Sequence, residues 1–195
     1  MASDTTLTHI GIDLGARSSG NTAVCHWAHG RFRFDHSTKD GDGDAWLEEV
    51  VAKLRPQAIY IDAPLSLPGV YSGSGQDYFF RLADHQARGM SPMFLGGLTA
   101  RAMRLAATWR AQGIAVHEAY PAALIRHEWD SLKVKPRKAI PKHKLRIMAG
   151  MVVMPPPEPA DRHETDAWLC WVIGHRHQRG EALVYGNETE GLILA

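Results

Sequence analysis

The chain has 195 residues, 45% of them hydrophobic and 22% charged, with 22 Lys and Arg against 21 Asp and Glu. That length suits a single domain over residues 1–195, and the composition excludes a disordered chain. A formal net charge of +1 excludes a histone-like polyelectrolyte but leaves room for a local basic patch.

Taken in chain order, Met1 to Thr8 is polar and lacks the basic-then-apolar pattern of a signal peptide. No apolar run reaches the ~18 residues that a membrane span needs, so a cytoplasmic protein without a membrane partner is expected. Thr8 to Asp13, Asn21 to Ala28 and Arg31 to His36 read as three short strands, the last two joined by His29-Gly30. This predicts an antiparallel meander. Asp44 is the expected N-cap of a helix carrying Leu47, Val50, Val51 and Leu54 at helical spacing. Ala58 to Asp62 is a compact strand, and Pro64 to Gly75 is loop.

Gln76 to Arg88 and Leu98 to Gln112 read as helices, the second stopped by Gly113. Gly113 to Glu118 is another strand, and Tyr120-Pro121 opens a helix. Asp130 to Lys142 is a basic connector. Lys144 to Val153 suits a helix, with Met151 to Met154 also compatible with a strand. Asp161 to His177 is a strong helix, and strand-like pieces at Ala182 to Tyr185 and Gly191 to Leu194 close the chain. A meander followed by strand–helix alternation indicates an α/β domain with a mixed sheet and helices packed on it.

Three strands end at an acid: Asp13 before Leu-Gly, Asp62 before Ala-Pro, and Glu118 before Ala-Tyr-Pro. Carboxyl ends of strands line the ligand crevice of open α/β sheets, so these acids would converge if their strands are neighbours. His163 and Asp166, three apart, share one face of the late helix. Clustered carboxylates repel unless a cation or proton relieves them, which implies Mg²⁺ or Mn²⁺. The plain alternative is that each acid caps a strand or starts a turn.

These motifs resemble a known superfamily. Asp13-x-Gly15 on the first strand of a meander resembles the first motif of the RNase H-like fold. His163-x-x-Asp166-Ala167 resembles the late-helix motif of Holliday-junction resolvases within it. More closely, the chain from about Ile10 to Leu194 resembles a domain-of-unknown-function family described as predicted nucleases of RNase H-like fold. The resemblance runs through GIDLG at Gly11–Gly15, IDAPLSLP at Ile61–Pro68 and Arg81-x-x-Asp84. It continues through EAYPAA at Glu118–Ala123, Lys138–Arg146, ETDAWLCW at Glu164–Trp171 and Glu190-Gly191. In that family an Asp often stands where this chain has His163. The resemblance implies a three-strand antiparallel meander plus parallel strands, with helices packed on both faces. It also implies a nuclease in which Asp13 bridges two ions of Mg²⁺ or Mn²⁺, with Asp62 or Glu118, and Asp166, completing the sites. For His163 two roles stand open: the metal-ligand place, where the resolvase pattern tolerates a histidine, or a proton shuttle near neutral pH.

No acid lies between Asp130 and Glu158, whereas Lys133, Lys135, Arg137, Lys138, Lys142, Lys144 and Arg146 do. Beside an acidic metal site such a stretch suits a nucleic acid, with Arg81, Arg88, Arg101 and Arg104 adding to a rim. A solvated basic face is the alternative. Gly15 to Gly20 resembles the phosphate loop of actin-like kinases and ATPases, so an actin-like phosphotransferase stands as the second reading. A non-catalytic nucleic-acid-binding module is the third. Tyr78, Phe79 and Phe80 are expected to anchor a loop lid, Trp168 and Trp171 to pack on the sheet, and Cys25 and Cys170 to be reduced core residues. DNA against RNA, endo against exo action, and monomer against homodimer stay open.

Overall fold

The computed structural model describes residues 9–128, 140–151 and 157–195. Its strands are β1 (His9–Asp13), β2 (Ala23–Ala28), β3 (Arg31–His36), β4 (Ala58–Asp62), β5 (Ala115–Ala119), β6 (Val184–Asn187) and β7 (Gly191–Leu194). They form one seven-stranded sheet in the order β3-β2-β1-β4-β5-β7-β6. The meander β1-β2-β3 is antiparallel, β1, β4, β5 and β7 run parallel, and β6 returns antiparallel to β7. The mixed α/β sheet expected from the sequence is therefore present.

The helices are α1 (Gly43–Leu54), α2 (Leu82–Ala87), α3 (Pro92–Leu95), α4 (Gly97–Ala111), α5 (Pro121–Glu128), α6 (Lys142–Met151) and α7 (Arg162–Gln178). Strand alternation divides the core. Ile10, Ile12, Ile59 and Ile61 face one side, where they meet Leu47 and Val51 of α1 and Leu105 and Trp109 of α4. Tyr60 faces the other, with Leu124 of α5, Leu145 of α6 and Trp168 and Trp171 of α7. The central strands are thus covered on both faces, which is why they read as nearly continuous apolar runs. Cys25 and Cys170 are buried free thiols, and Trp168 and Trp171 do pack on the sheet.

Some local expectations change. The N-cap of α1 is Asp42, whose carboxylate accepts from Asp44 N and Ala45 N, while Asp44 turns inward to ion-pair with Arg101 and Arg104. Those two arginines join α4 to α1 instead of forming a rim. The helix expected over 76–88 shrinks to α2. Asp77 captures the N–H groups of Phe79 and Phe80 in a turn, and Asp84 captures Arg81 N. Ser91 with Pro92 starts the unanticipated α3. Met151 ends α6 as helix, and the rest of the alternative strand lies outside the described residues. Among the described residues no helix is long and apolar enough to cross a membrane.

Candidate functional site

Gly11 decides where α7 lies. A Cβ there would come 2.2 Å from the Ala167 carbonyl oxygen and 2.3 Å from Trp171 N, so only glycine lets the helix rest on β1. One step of two residues along β1 roughly matches one turn of α7. His9 meets Trp171, its Nε2 3.0 Å from the Trp171 carbonyl; Gly11 meets Ala167; Asp13 meets His163. His163 Nδ1 donates to Asp13 Oδ2 at 2.6 Å. Asp13 and Asp62 are register partners on adjacent parallel strands, and alternation puts both on the α7 side with Gly11 and Tyr60. Asp166 joins them from the second turn of α7, its Oδ2 3.1 Å from Arg162 Nε.

The three carboxylates press on one another. Burial lifts Asp62 well above the ordinary carboxyl range, and the charges of Asp13 and Asp166 add to the effect. Burial, with Asp13 next, pushes Asp166 up to about 6. The hydrogen bond to Asp13 raises the His163 imidazole. Among the described residues the Asp62 side chain has no hydrogen-bond partner. Nor do any three His, Cys, Asp or Glu among them already stand as a metal cage: His163 occupies Asp13 and Arg162 occupies Asp166.

Glu118 lies close enough for its charge to add to the raising of Asp62 and lines the same cavity, but its side chain is held differently. It registers with Ile61, one position short of Asp62, so alternation gives it the face of Ile61. Both its oxygens are engaged: Oε2 accepts from Leu65 N (2.8 Å) and Arg81 Nη1 (2.7 Å), and Oε1 from Arg81 Nη2 (2.7 Å). Burial raises its carboxyl, opposed by those bonds. Arg81 is accordingly not a nucleic-acid rim residue. It is wholly buried, and its five N–H groups are all spent, two on Asp84, two on Glu118 and one on Ser66.

The acids open into a cavity of about 450 Å³. Asp13, Asp62 and Asp166 line it together with Glu118 and Asp84, and Met90, Leu95 and Leu98 add apolar surface. Arg126 and Arg162, neither anticipated from the sequence, also line it; only the four-residue spacing of Arg162 and Asp166 signalled an interaction. Of the basic segment, Lys142 and Arg146 are exposed and Lys144 is half-buried on α6, whereas Lys133, Lys135, Arg137 and Lys138 lie outside the described residues. The Gly15–Gly20 loop is tied to the start of α1 and the loop before it, where Asp40 N donates to the Ser18 carbonyl and Gly43 N to the Arg17 carbonyl, and is closed internally by Ser19 Oγ donating to the Ala16 carbonyl. Tyr78 and Phe79 do not anchor a lid; they are exposed. No family model matches the chain, and no curated protein matches its sequence.

Proposed function

We propose that this chain is a nuclease of RNase H-like fold that hydrolyses phosphodiester bonds with Mg²⁺ or Mn²⁺ at Asp13, Asp62 and Asp166. One observation carries the reading. Asp13 and Asp62 stand side by side at the carboxyl ends of parallel strands, α7 brings Asp166 against them, and Asp62 and Asp166 are left with raised carboxyls at a cavity. The antiparallel meander leading into parallel strands agrees with the fold expected from the resemblance.

The donor set fits the ion. Three carboxylates are the hard oxygen ligands that Mg²⁺ and Mn²⁺ take, and a cation would relieve the repulsion that lifts Asp62 and Asp166. Bound there, such ions would supply an activated water and charge stabilisation at the leaving oxygen. Glu118, held by Arg81, leaves Asp62 as the partner of Asp13. His163 holds Asp13 by one oxygen and so orients the other, the task of a group behind a metal ligand. With its raised pKa it also carries a proton nearer neutrality than a free imidazole does. Arg162 and Arg126, on the cavity wall, would face the charge of a phosphate.

The test is cleavage of single-stranded, duplex, hybrid and branched nucleic acids with Mg²⁺ or Mn²⁺. Asp13→Asn and Asp62→Asn should each lower the rate on the order of 100-fold or more. Equal cleavage by the variants, or no cleavage of any substrate by the wild type, would overturn the reading.

A further inference from the structure

Between β4 and α4 the chain sets out aromatic rings that the core does not use. Tyr78 is 60% exposed, Phe79 53% and Phe94 66%, and Tyr71 is exposed beside them. Phe79 and Phe94 lie 5.7 Å apart at 40°, with Phe80 6.0 Å from Phe94. Tyr71 and Tyr78 meet edge to face at 6.2 Å. The backbone under these rings is fastened. Asp77 Oδ1 accepts from Phe79 N (2.8 Å) and Phe80 N (3.0 Å), and Ser91 Oγ donates to the Phe79 carbonyl. Tyr71 hydroxyl donates to the Tyr78 carbonyl at 3.3 Å.

The chain around this platform also reaches the acid cavity. Met90 and Leu95 line that cavity, Ser91 holds Phe79, and Phe94 directly precedes Leu95. Arg126 and Arg162 on the cavity wall supply charge suited to phosphates.

Resting on the nuclease reading, we infer that Phe79 and Phe94, flanked by Tyr78, stack unpaired nucleobases, so that the substrate reaches the acids as a single strand or an unpaired stretch. Bases in a duplex are stacked on each other and offer only their edges, whereas unpaired bases offer faces to rings held at fixed positions. The charge of the cavity favours this occupant over an apolar protein surface: Leu95, next to Phe94, shares its lining with the carboxylates, suited to cations, and with Arg126 and Arg162, suited to phosphates.

The test measures affinity in EDTA, where no cleavage occurs, at fixed salt. A labelled single-stranded oligonucleotide of mixed sequence is compared with its duplex. The wild type should prefer the single strand. Phe79→Ala with Phe94→Ala should weaken that binding about 10-fold or more, leave duplex binding unchanged and leave the melting temperature near the wild-type value. Phe79→Tyr with Phe94→Tyr should retain it, which separates stacking from misfolding. Unchanged single-strand affinity in the Ala variant overturns the inference. So does a wild-type preference for duplex, or an effect of the Ala variant on self-association alone. Cleavage that depends on Asp13 but ignores the rings removes the platform and keeps the nuclease. Ring-dependent binding with no Asp13-dependent cleavage does the reverse.

Discussion

Replacing Asp166 by Asn removes one charge from the acid group while keeping nearly the same shape. Its carboxyl stands at about 6 against an ordinary 3.8, because burial and Asp13 disfavour the ionised form. That gap is worth about 3 kcal/mol, at about 1.36 kcal/mol per pH unit. The sign follows from linkage. The native state holds the proton more tightly than the unfolded state, so the contribution is whole below pH about 4 and is lost as pH rises through about 6. At pH 7 the wild type carries the full cost and Asn carries none. Arg162 loses its partner, but it is half-exposed, and such a pair is worth about 0–1 kcal/mol. The net gain is about 2–3 kcal/mol, or about 4–12 °C in melting temperature for a chain of this length. Urea and thermal unfolding in EDTA from pH 4 to 8 measure it: the two proteins should coincide near pH 4 and diverge through pH 6. An Asn variant no more stable at pH 7, or a constant difference across the range, would refute the electrostatic account of the site.

Two further outcomes follow from the same charges. Mg²⁺ or Mn²⁺ should raise the wild-type melting temperature, by about 2.7 kcal/mol of added stability at 100 times the dissociation constant, and Asp62→Asn should abolish the shift. A wild type indifferent to either ion in a thermal-shift titration would rule out the metal site. Arg81→Met should cost about 3–5 kcal/mol, since Asp84 and Glu118 stay buried without their counter-ion. Denaturant unfolding that matches the wild type, combined with weakened nucleic-acid binding, would instead return Arg81 to the rim role expected from the sequence.

Period and punctuation made the strands legible: Arg31–His36, Ala58–Asp62 and Gly191–Leu194 have the bounds expected from alternation and from Gly and Pro stops. The strand-end acids were legible for the same reason, because Asp13 and Asp62 each precede a breaker. What decided between Asp62 and Glu118 was register. Both are expected to end a strand, but β5 runs on to Ala119 and pairs Glu118 with Ile61, and a single position moves a side chain to the other face. No local pattern encodes that pairing. The fate of Arg81 was half legible: the three-residue spacing to Asp84 is local, whereas Glu118 and Ser66 reach it only through the tertiary fold. The aromatic triplet Tyr78-Phe79-Phe80 looked like packing on hydrophobicity alone. The Asp77 turn, together with a short α2 in place of a long helix, faces two of its rings outward.

Adjacent strands β4 and β5 carry acids at or near their carboxyl ends that are bonded in different ways. Glu118 and Asp84 share one buried guanidinium whose every donor is used. That arrangement binds the loop after β4 to α2 and fills three of the roughly four acceptor positions of each carboxylate. Asp13, Asp62 and Asp166 receive less. Their compensating groups are His163 and Arg162, partly exposed and each given to one carboxylate, and Asp62 has no hydrogen bond among the described residues. Domains are stable by about 5–15 kcal/mol in total, so a cost of about 3 kcal/mol from Asp166 alone is a large fraction to leave uncompensated. On the proposed reading Asp62 and Asp166 take a further counter-ion from solution, whereas Glu118 and Asp84, which line the same cavity, are held by Arg81. This contrast in hydrogen bonding, more than the presence of acids near strand ends, is why Asp13, Asp62 and Asp166 are proposed as metal ligands over Glu118.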